Sequence, residues 1–158
     1  MEFSASHHYD AEPAAVLAMF NDPTFWQTLV NRAGATSSTV TPIADGVQVH
    51  VEVDPPDKAR AFVGASLGLD QTFVWQAGAD NSWTGDFEQK AAGKLPARSA
   101  GTATMKPGVT GGTDVDYRGE FIVSIPVMGR RLEAMAGPYV TRVIDLQQSV
   151  GQEWLSSH

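Results

Sequence analysis

Period-two alternation and helical spacing replace one another along this chain, and their order predicts its architecture. "EFSASHHY" puts Phe3, Ala5, His7 and Tyr9 on one side and Glu2, Ser4, Ser6 and His8 on the other, as in a half-buried strand. "DAEPAAVLAMF" then spaces Val16, Leu17 and Phe20 as on a helix, with Asp10 as the candidate N-cap and Pro13 near the first turn. A second short helix starts at Asp22 before Pro23, carries Phe25, Trp26, Leu29 and Val30, and stops at Gly34.

From Ala35 the pattern is alternating and hairpin-like. "TSSTVTPI" and "VQVHVEV" flank Ala44-Asp45-Gly46, a strong turn signal, with Val47, Val49, Val51 and Val53 facing inward and Gln48, His50 and Glu52 outward. "DPPDKARAFVGASLG" offers a helical turn or two, interrupted by Gly64 and ended by Gly68. "LDQTFVWQ" pairs with "WTGDFEQ", and "ARSAGTATM" with "TDVDYRGEFIVSI". On the last strand Val115, Tyr117, Phe121, Val123 and Ile125 share one face; Asp114, Asp116, Arg118 and Glu120 share the other.

The closing stretch, "GRRLEAMAGPYVTRVIDLQQSVGQEWL", spaces Leu132, Met135, Ala136, Tyr139, Val140, Val143, Leu146, Val150 and Trp154 as on a long amphipathic helix. Gly137 and Pro138 interrupt it, although they are about 1 and 3 kcal/mol worse than Ala inside a helix. Either Pro138 kinks a continuous helix, or Gly137 caps a new one that starts at Pro138. One strand, two short helices, about six more strands and a long helix make an α+β arrangement, in which a twisted antiparallel sheet curls around the only element large enough to cover its apolar face.

Composition narrows the function classes. The chain has 158 residues, which suits one domain over 1–158 that buries roughly 70% of its unfolded surface. A net charge of -7 disfavours nucleic acid, whose binding needs a Lys/Arg surface. There is no cysteine, so thiolate chemistry and disulfides are excluded. No basic, apolar leader opens the chain, and the most apolar run, "AFVGASLGL", is far below the ~20 residues a membrane helix needs. The expectation is a cytoplasmic protein without stable membrane insertion.

"HYDAEPAAVLAMFNDPTFW" and the strand-to-helix join "IPVMGRRLE" resemble the SRPBCC superfamily, the START and Bet v 1-like helix-grip proteins. Within it, "FNDPTFWQTLVNRAGA", "ADGVQVHVEV" and "GQEWL" are similar to a bacterial family, domain of unknown function 2505. The resemblance spans essentially the whole chain. It implies a seven-stranded antiparallel sheet gripping the C-terminal helix over a cavity. Superfamily members bind sterols, lipids, polyketides or plant hormones, while some are aromatase/cyclases and others co-chaperones; the fold does not decide among these.

Candidate ligand-binding residues follow from the inward faces: Val51, Phe73, Trp75, Trp83, Phe87, Tyr117, Phe121, Met135, Tyr139 and Val143. These side chains either fill a packed core or line a partly hollow apolar pocket, in which Tyr117, Tyr139, Trp75 or Trp83 supply hydrogen bonds. His7 faces inward beside Tyr9 and reads as a core histidine; His8, His50, Asp86, Glu88 and Arg118 face outward, and Arg98 is left open. No histidine or carboxylate spacing suggests a metal, "PGVTGG" lacks the rest of a phosphate loop, and no nucleophile arrangement is present, so neither catalytic residues nor a cofactor is expected. "AFVGASLGL" is either a lid or an ordinary crossover. The leading expectation is a non-enzymatic binder of an apolar or amphipathic small molecule, lipid-, sterol- or polyketide-like. The alternatives are a cyclase or dehydratase using the same cavity through His7 or a tyrosine, and a protein-interaction module with an exposed patch at Phe25 and Trp26.

Overall fold

The computed structural model describes residues 1–158. Its elements are β1 (Glu2–Tyr9), α1 (Pro13–Phe20), α2 (Pro23–Arg32), β2 (Ala35–Ile43), β3 (Gly46–Val53), α3 (Arg60–Val63), β4 (Leu67–Ala77), β5 (Trp83–Ala91), β6 (Ala97–Pro107), β7 (Thr113–Val123) and α4 (Gly129–Ser156). The strands form one antiparallel sheet in the order β1-β7-β6-β5-β4-β3-β2. Because β2 to β7 run as a meander and β1 joins the far edge, α1 and α2 carry the chain across the inward face at one end of the sheet. No helix is long and apolar enough to cross a membrane.

Local chemistry sets most boundaries. Pro13 is the first helical residue of α1 and holds Glu12 extended, at φ -64 and ψ 152, so Glu12 and not Asp10 occupies the N-cap position. Asp22 caps α2 by accepting hydrogen bonds from the Thr24 backbone N–H and hydroxyl at 2.8 and 2.7 Å. Asp45 takes up a left-handed φ of 58 in the β2–β3 turn. The connector is less helical than its composition suggests. Gly64, with φ 87, ends α3 after one turn, and Gly68 is not a helix stop but a β4 residue paired with Glu52. Ile125 lies beyond the end of β7.

Ladder register resolves the inward face into rungs that cross the strands. One rung runs Phe3, Gly119, Gly101, Phe87, Phe73, Val47. Glycine is required within it, because a Cβ on Gly101 would stand 2.5 Å from Phe87 Cζ and 2.2 Å from the Arg118 carbonyl oxygen. Towards the chain-reversal at Ala77–Trp83 the next rung is Ala5, Tyr117, Ala103, Gly85, Trp75, and then His7, Val115, Met105, Trp83. That end is filled. Phe20 is fully buried, with ring centroids of Tyr9, Phe25, Trp26, Phe73 and Trp75 between 5.3 and 6.4 Å away. Phe25 and Trp26 belong to this plug, and Trp26 Nε1 donates to the Phe20 carbonyl at 2.7 Å. The expected exposed patch at these two residues is therefore corrected: both rings are needed to close one end of the sheet.

The terminal helix is not divided at Pro138; α4 is a single helix with the proline inside it. Pro138 and Ala134 are both exposed, so the carbonyl that Pro138 cannot satisfy faces water. The buried positions of α4 are Gly129 and Leu132 at one end and Gln147, Val150 and Gly151 at the other. Roughly 22 Å of helix between Leu132 and Gln147 is anchored only at its ends. The two interior glycines differ in what they touch. A Cβ on Gly151 would lie 2.5 Å from Tyr9 Cε1, whereas one on Gly137 would meet only the flexible Met1 thioether at 3.3 Å. Gly151→Val is expected to destabilise the protein by more than about 2 kcal/mol through overpacking. Gly137→Ala should be neutral or stabilising by up to about 1 kcal/mol. Urea unfolding midpoints of the two variants check the contrast.

Candidate functional site

Beyond the Phe73–Phe87 rung the inward face carries Phe121 among aliphatic and polar side chains; α1 does not reach this half, and α2 borders it along one side. A cavity of about 520 Å³ occupies this half, between the sheet, α2, the α3 connector and the unsupported span of α4. Its walls are mostly apolar: Val49, Val51 and Val53 from β3, Leu67 and Leu69 from β4, Ala91 from β5, Phe121 and Val123 from β7, and Leu132, Met135, Ala136, Val140 and Ile144 from α4. Leu29, Val30 and Ala33 of α2 close one side, and Pro55, Pro56, Ala59 and Val63 of the connector another. Tyr139 and Val143 line the space yet remain 50% and 38% exposed, which marks a mouth beside the middle of α4.

Of the residues singled out from the sequence, Val51, Phe73, Phe87, Tyr117, Phe121, Met135, Tyr139 and Val143 surround this cavity. Trp75 and Trp83 do not. They point to the same face of the sheet, but one and two rungs past Phe73 and Phe87, where the Phe20 plug fills the space. Their indole N–H groups are buried there without a partner and are out of reach of anything in the cavity. Polar lining residues escaped the sequence reading: Gln71, Gln89 and Ser99 on the sheet, and Gln147 and Arg142 on α4. Alternation held the signal for two of them, since Gln71 shares its parity with Leu69 and Phe73, and Gln89 with Phe87 and Ala91.

Buried polar groups cluster where cavity and plug meet. Gln147 Nε2 donates to the Tyr117 hydroxyl at 2.7 Å, and the Tyr9 hydroxyl lies 3.3 Å from His7 Nδ1. Burial pushes the Tyr117 phenol well above its ordinary value, so it stays a neutral hydrogen-bonding group. His7 packs edge-on to Tyr117 at 5.0 Å between centroids, but it does not line the cavity, and its Nε2 is sealed off without a partner. Burial lowers the His7 pKa, with Asp145 opposing in part. On the outer face His8 Nδ1 and His50 Nδ1 each sit 2.7 Å from a carboxylate oxygen, of Asp114 and Asp70, and both are raised chiefly by that hydrogen bond. Asp86, Glu88, Arg98 and Arg118 are exposed. No three His, Asp or Glu side chains converge as metal ligands.

Residues 4–155 match the family described as Protein of unknown function (DUF2505). The chain is a member of the DUF2505 family. No curated protein matches it. Among solved structures, this DUF2505 protein is similar to TTHA0849 of Thermus thermophilus, at 14% identity and TM-score 0.70 over 99% of this chain and 98% of that one. It is also similar to a STAR-related lipid transfer protein of Xanthomonas axonopodis, at 17% identity and TM-score 0.67 over 98% and 85% of the two chains. A third is norcoclaurine synthase of Thalictrum flavum, solved with dopamine and hydroxybenzaldehyde, at 9% identity and TM-score 0.63 over 100% and 87%. At such identities the likeness speaks to fold alone: the DUF2505 chain has the helix-grip fold of START and Bet v 1-like proteins.

In this DUF2505 protein His7 is expected to titrate below 6.5, and His8 and His50 above it. His7, lowered by burial, contributes stability that is present above pH 6.5 and lost as pH falls through its native value. His8 and His50, raised, contribute stability fully present below pH 6.5 and lost as pH rises through their native values. Ring proton shifts followed by NMR check this order, and Asp70→Asn should move His50 back towards 6.5. His7 titrating together with His50 would contradict it.

Proposed function

We propose that this protein binds an apolar or amphipathic small molecule, lipid-, sterol- or polyketide-like in class, in the cavity beneath α4. The observation that carries the reading is the division of the inward face: one half is packed with aromatic rings, while the other surrounds about 520 Å³ of mostly apolar space with a mouth at Tyr139 and Val143. Cavities of roughly 300–1,000 Å³ lined in this way suit small-molecule ligands. Val51, Phe73, Phe87, Tyr117, Phe121, Met135, Tyr139 and Val143 are the side chains we assign to contact the ligand, chiefly by burial of apolar surface. The structural likeness to a STAR-related lipid transfer protein agrees with this choice of ligand class.

Binding has more support than catalysis. The one buried histidine is held behind Tyr117, away from the lining, and the Tyr117 phenol is far from ionising near neutral pH. Acid-base chemistry on a bound ligand would need a group with a pKa near the working pH in contact with it.

The test is titration of 1-anilinonaphthalene-8-sulfonate into the purified protein, alongside native mass spectrometry for a co-purified adduct. Saturable, single-site fluorescence enhancement is expected. Ala91→Trp places an indole inside the cavity, and it should weaken that binding at least tenfold while leaving the unfolding midpoint unchanged or raised. Binding that is unaltered in a folded Ala91→Trp variant would overturn the reading.

A further inference from the structure

We propose that the ligand is uncharged where it is buried and carries an oxygen function, a hydroxyl or a carbonyl, on an otherwise apolar skeleton, and that Gln71, Gln89 and Ser99 recognise that group. This rests on the ligand-binding reading above. The three residues are consecutive members of one rung. Gln71 is opposite Gln89, and Gln89 is opposite Ser99, on β4, β5 and β6. All three face the cavity, flanked on the same rung by Val49 and Phe121.

The rungs on either side are apolar. One carries Phe73 and Phe87, the other Leu69 and Ala91, so the polar groups form a single stripe across a greasy floor. Such a stripe is costly in a wall that serves only as a core, because each glutamine brings two N–H donors and an acceptor, and the serine a hydroxyl. Within the protein these groups have one side-chain hydrogen bond between them: Gln89 Nε2 donates to Gln71 Oε1 at a long 3.4 Å. The Gln71 amide N–H groups, the Gln89 carbonyl and the Ser99 hydroxyl have none. They are half-buried, not sealed, so a molecule in the cavity can reach them.

A hydrocarbon entering the cavity would displace water from the stripe and strand these groups, whereas a hydroxyl or carbonyl would pair with them. An amide both donates and accepts, which accommodates either oxygen function. Charge is disfavoured at the same place. The charged residues of the lining are Asp54 in the connector and Arg142 on α4, and neither lies on the floor, so a buried carboxylate or ammonium would lose its hydration without a counter-charge. Sites built around polar partners of this kind discriminate strongly against analogues that lack the matching group.

The test uses isothermal titration calorimetry at pH 7 with three probes of one shape: naphthalene, 2-naphthol and 2-naphthoate. The comparison is between the wild type and Gln71→Met/Gln89→Met, which keeps side-chain length and removes the amides. The ratio of the naphthalene to the 2-naphthol dissociation constant should fall about five- to tenfold in the double variant. Ser99→Ala, which removes one hydroxyl and keeps the two glutamines, should shift the ratio the same way by a smaller factor and serves if the double variant does not fold. An unchanged ratio in the folded variants would overturn the assignment of these residues, and 2-naphthoate binding the wild type more tightly than 2-naphthol would overturn the uncharged ligand. Both results leave the cavity reading standing. If 1-anilinonaphthalene-8-sulfonate binds and 2-naphthol does not, this inference alone falls; if neither that dye nor any of the three probes binds, the ligand-binding reading falls and this inference with it.

Discussion

Everything in this structure depends on how far the Phe20 cluster reaches. Phe20 ends α1 and sits under Trp26 of α2, so the two short helices deliver one plug of aromatic rings to one end of the sheet. Phe73 and Phe87 meet at the boundary, 5.7 Å apart, with Phe73 packed on Phe20 and Phe87 on Phe3. An inward face that spans β1 to β7 is longer than this plug can cover. Only α4 remains to roof the rest, and it is seated at its ends: Val150 and Gly151 rest on the plug, and Gly129 packs against the Val123 carbonyl. The span between the two seats stands over unfilled volume. The hollow is thus a consequence of where the rings stop, since a roof held at both ends cannot drop onto a concave floor.

Much of this was legible in the sequence. Each strand that carried an alternating pattern formed, and the Asp45-Gly46 turn fixed the register that makes Val47, Val49 and Val51 inward neighbours. The pairing of Phe73 with Phe87 follows from the single β4–β5 hairpin. What alternation cannot supply is depth along the strand. Trp75 and Phe73 have the same parity and the same chemistry, yet one is locked in the plug and the other borders the cavity, because helices distant in sequence decide which rungs are covered. The same blindness made Phe25 and Trp26 look like a patch. A helix presents its aromatic stripe identically in sequence whether the stripe meets solvent or a neighbouring sheet.

Two local corrections have a simpler cause. Asp10 has good capping chemistry, but Pro13 dictates the conformation of the residue before it and so determines where α1 begins. The connector is apolar enough for two helical turns, and Gly64 ends it after one because its backbone turns to positive φ. In both places a single backbone restriction outweighs several favourable side chains, as expected when propensities differ by tenths of a kcal/mol and a proline or glycine constraint by several times that.

Gly137 and Pro138 are the strongest conflict between local propensity and observed structure, and their position explains how it is tolerated. They fall in the span of α4 between its two seats, where Pro138 is exposed to water and Gly137 is half-buried beside Met1. There the carbonyl left free by Pro138 is hydrated, and Gly137 contacts only the end of a flexible side chain. The same pair placed further along α4, at the Tyr9 and Met19 contacts of Gly151, would cost burial as well as hydrogen bonding. Helical strength is therefore lowest where packing is also lowest, beside the exposed Tyr139 and Val143. Local opening free energy follows both quantities. The segment most easily loosened is the one that borders the mouth, while the two seats that hold the roof keep the buried contacts on which the fold depends.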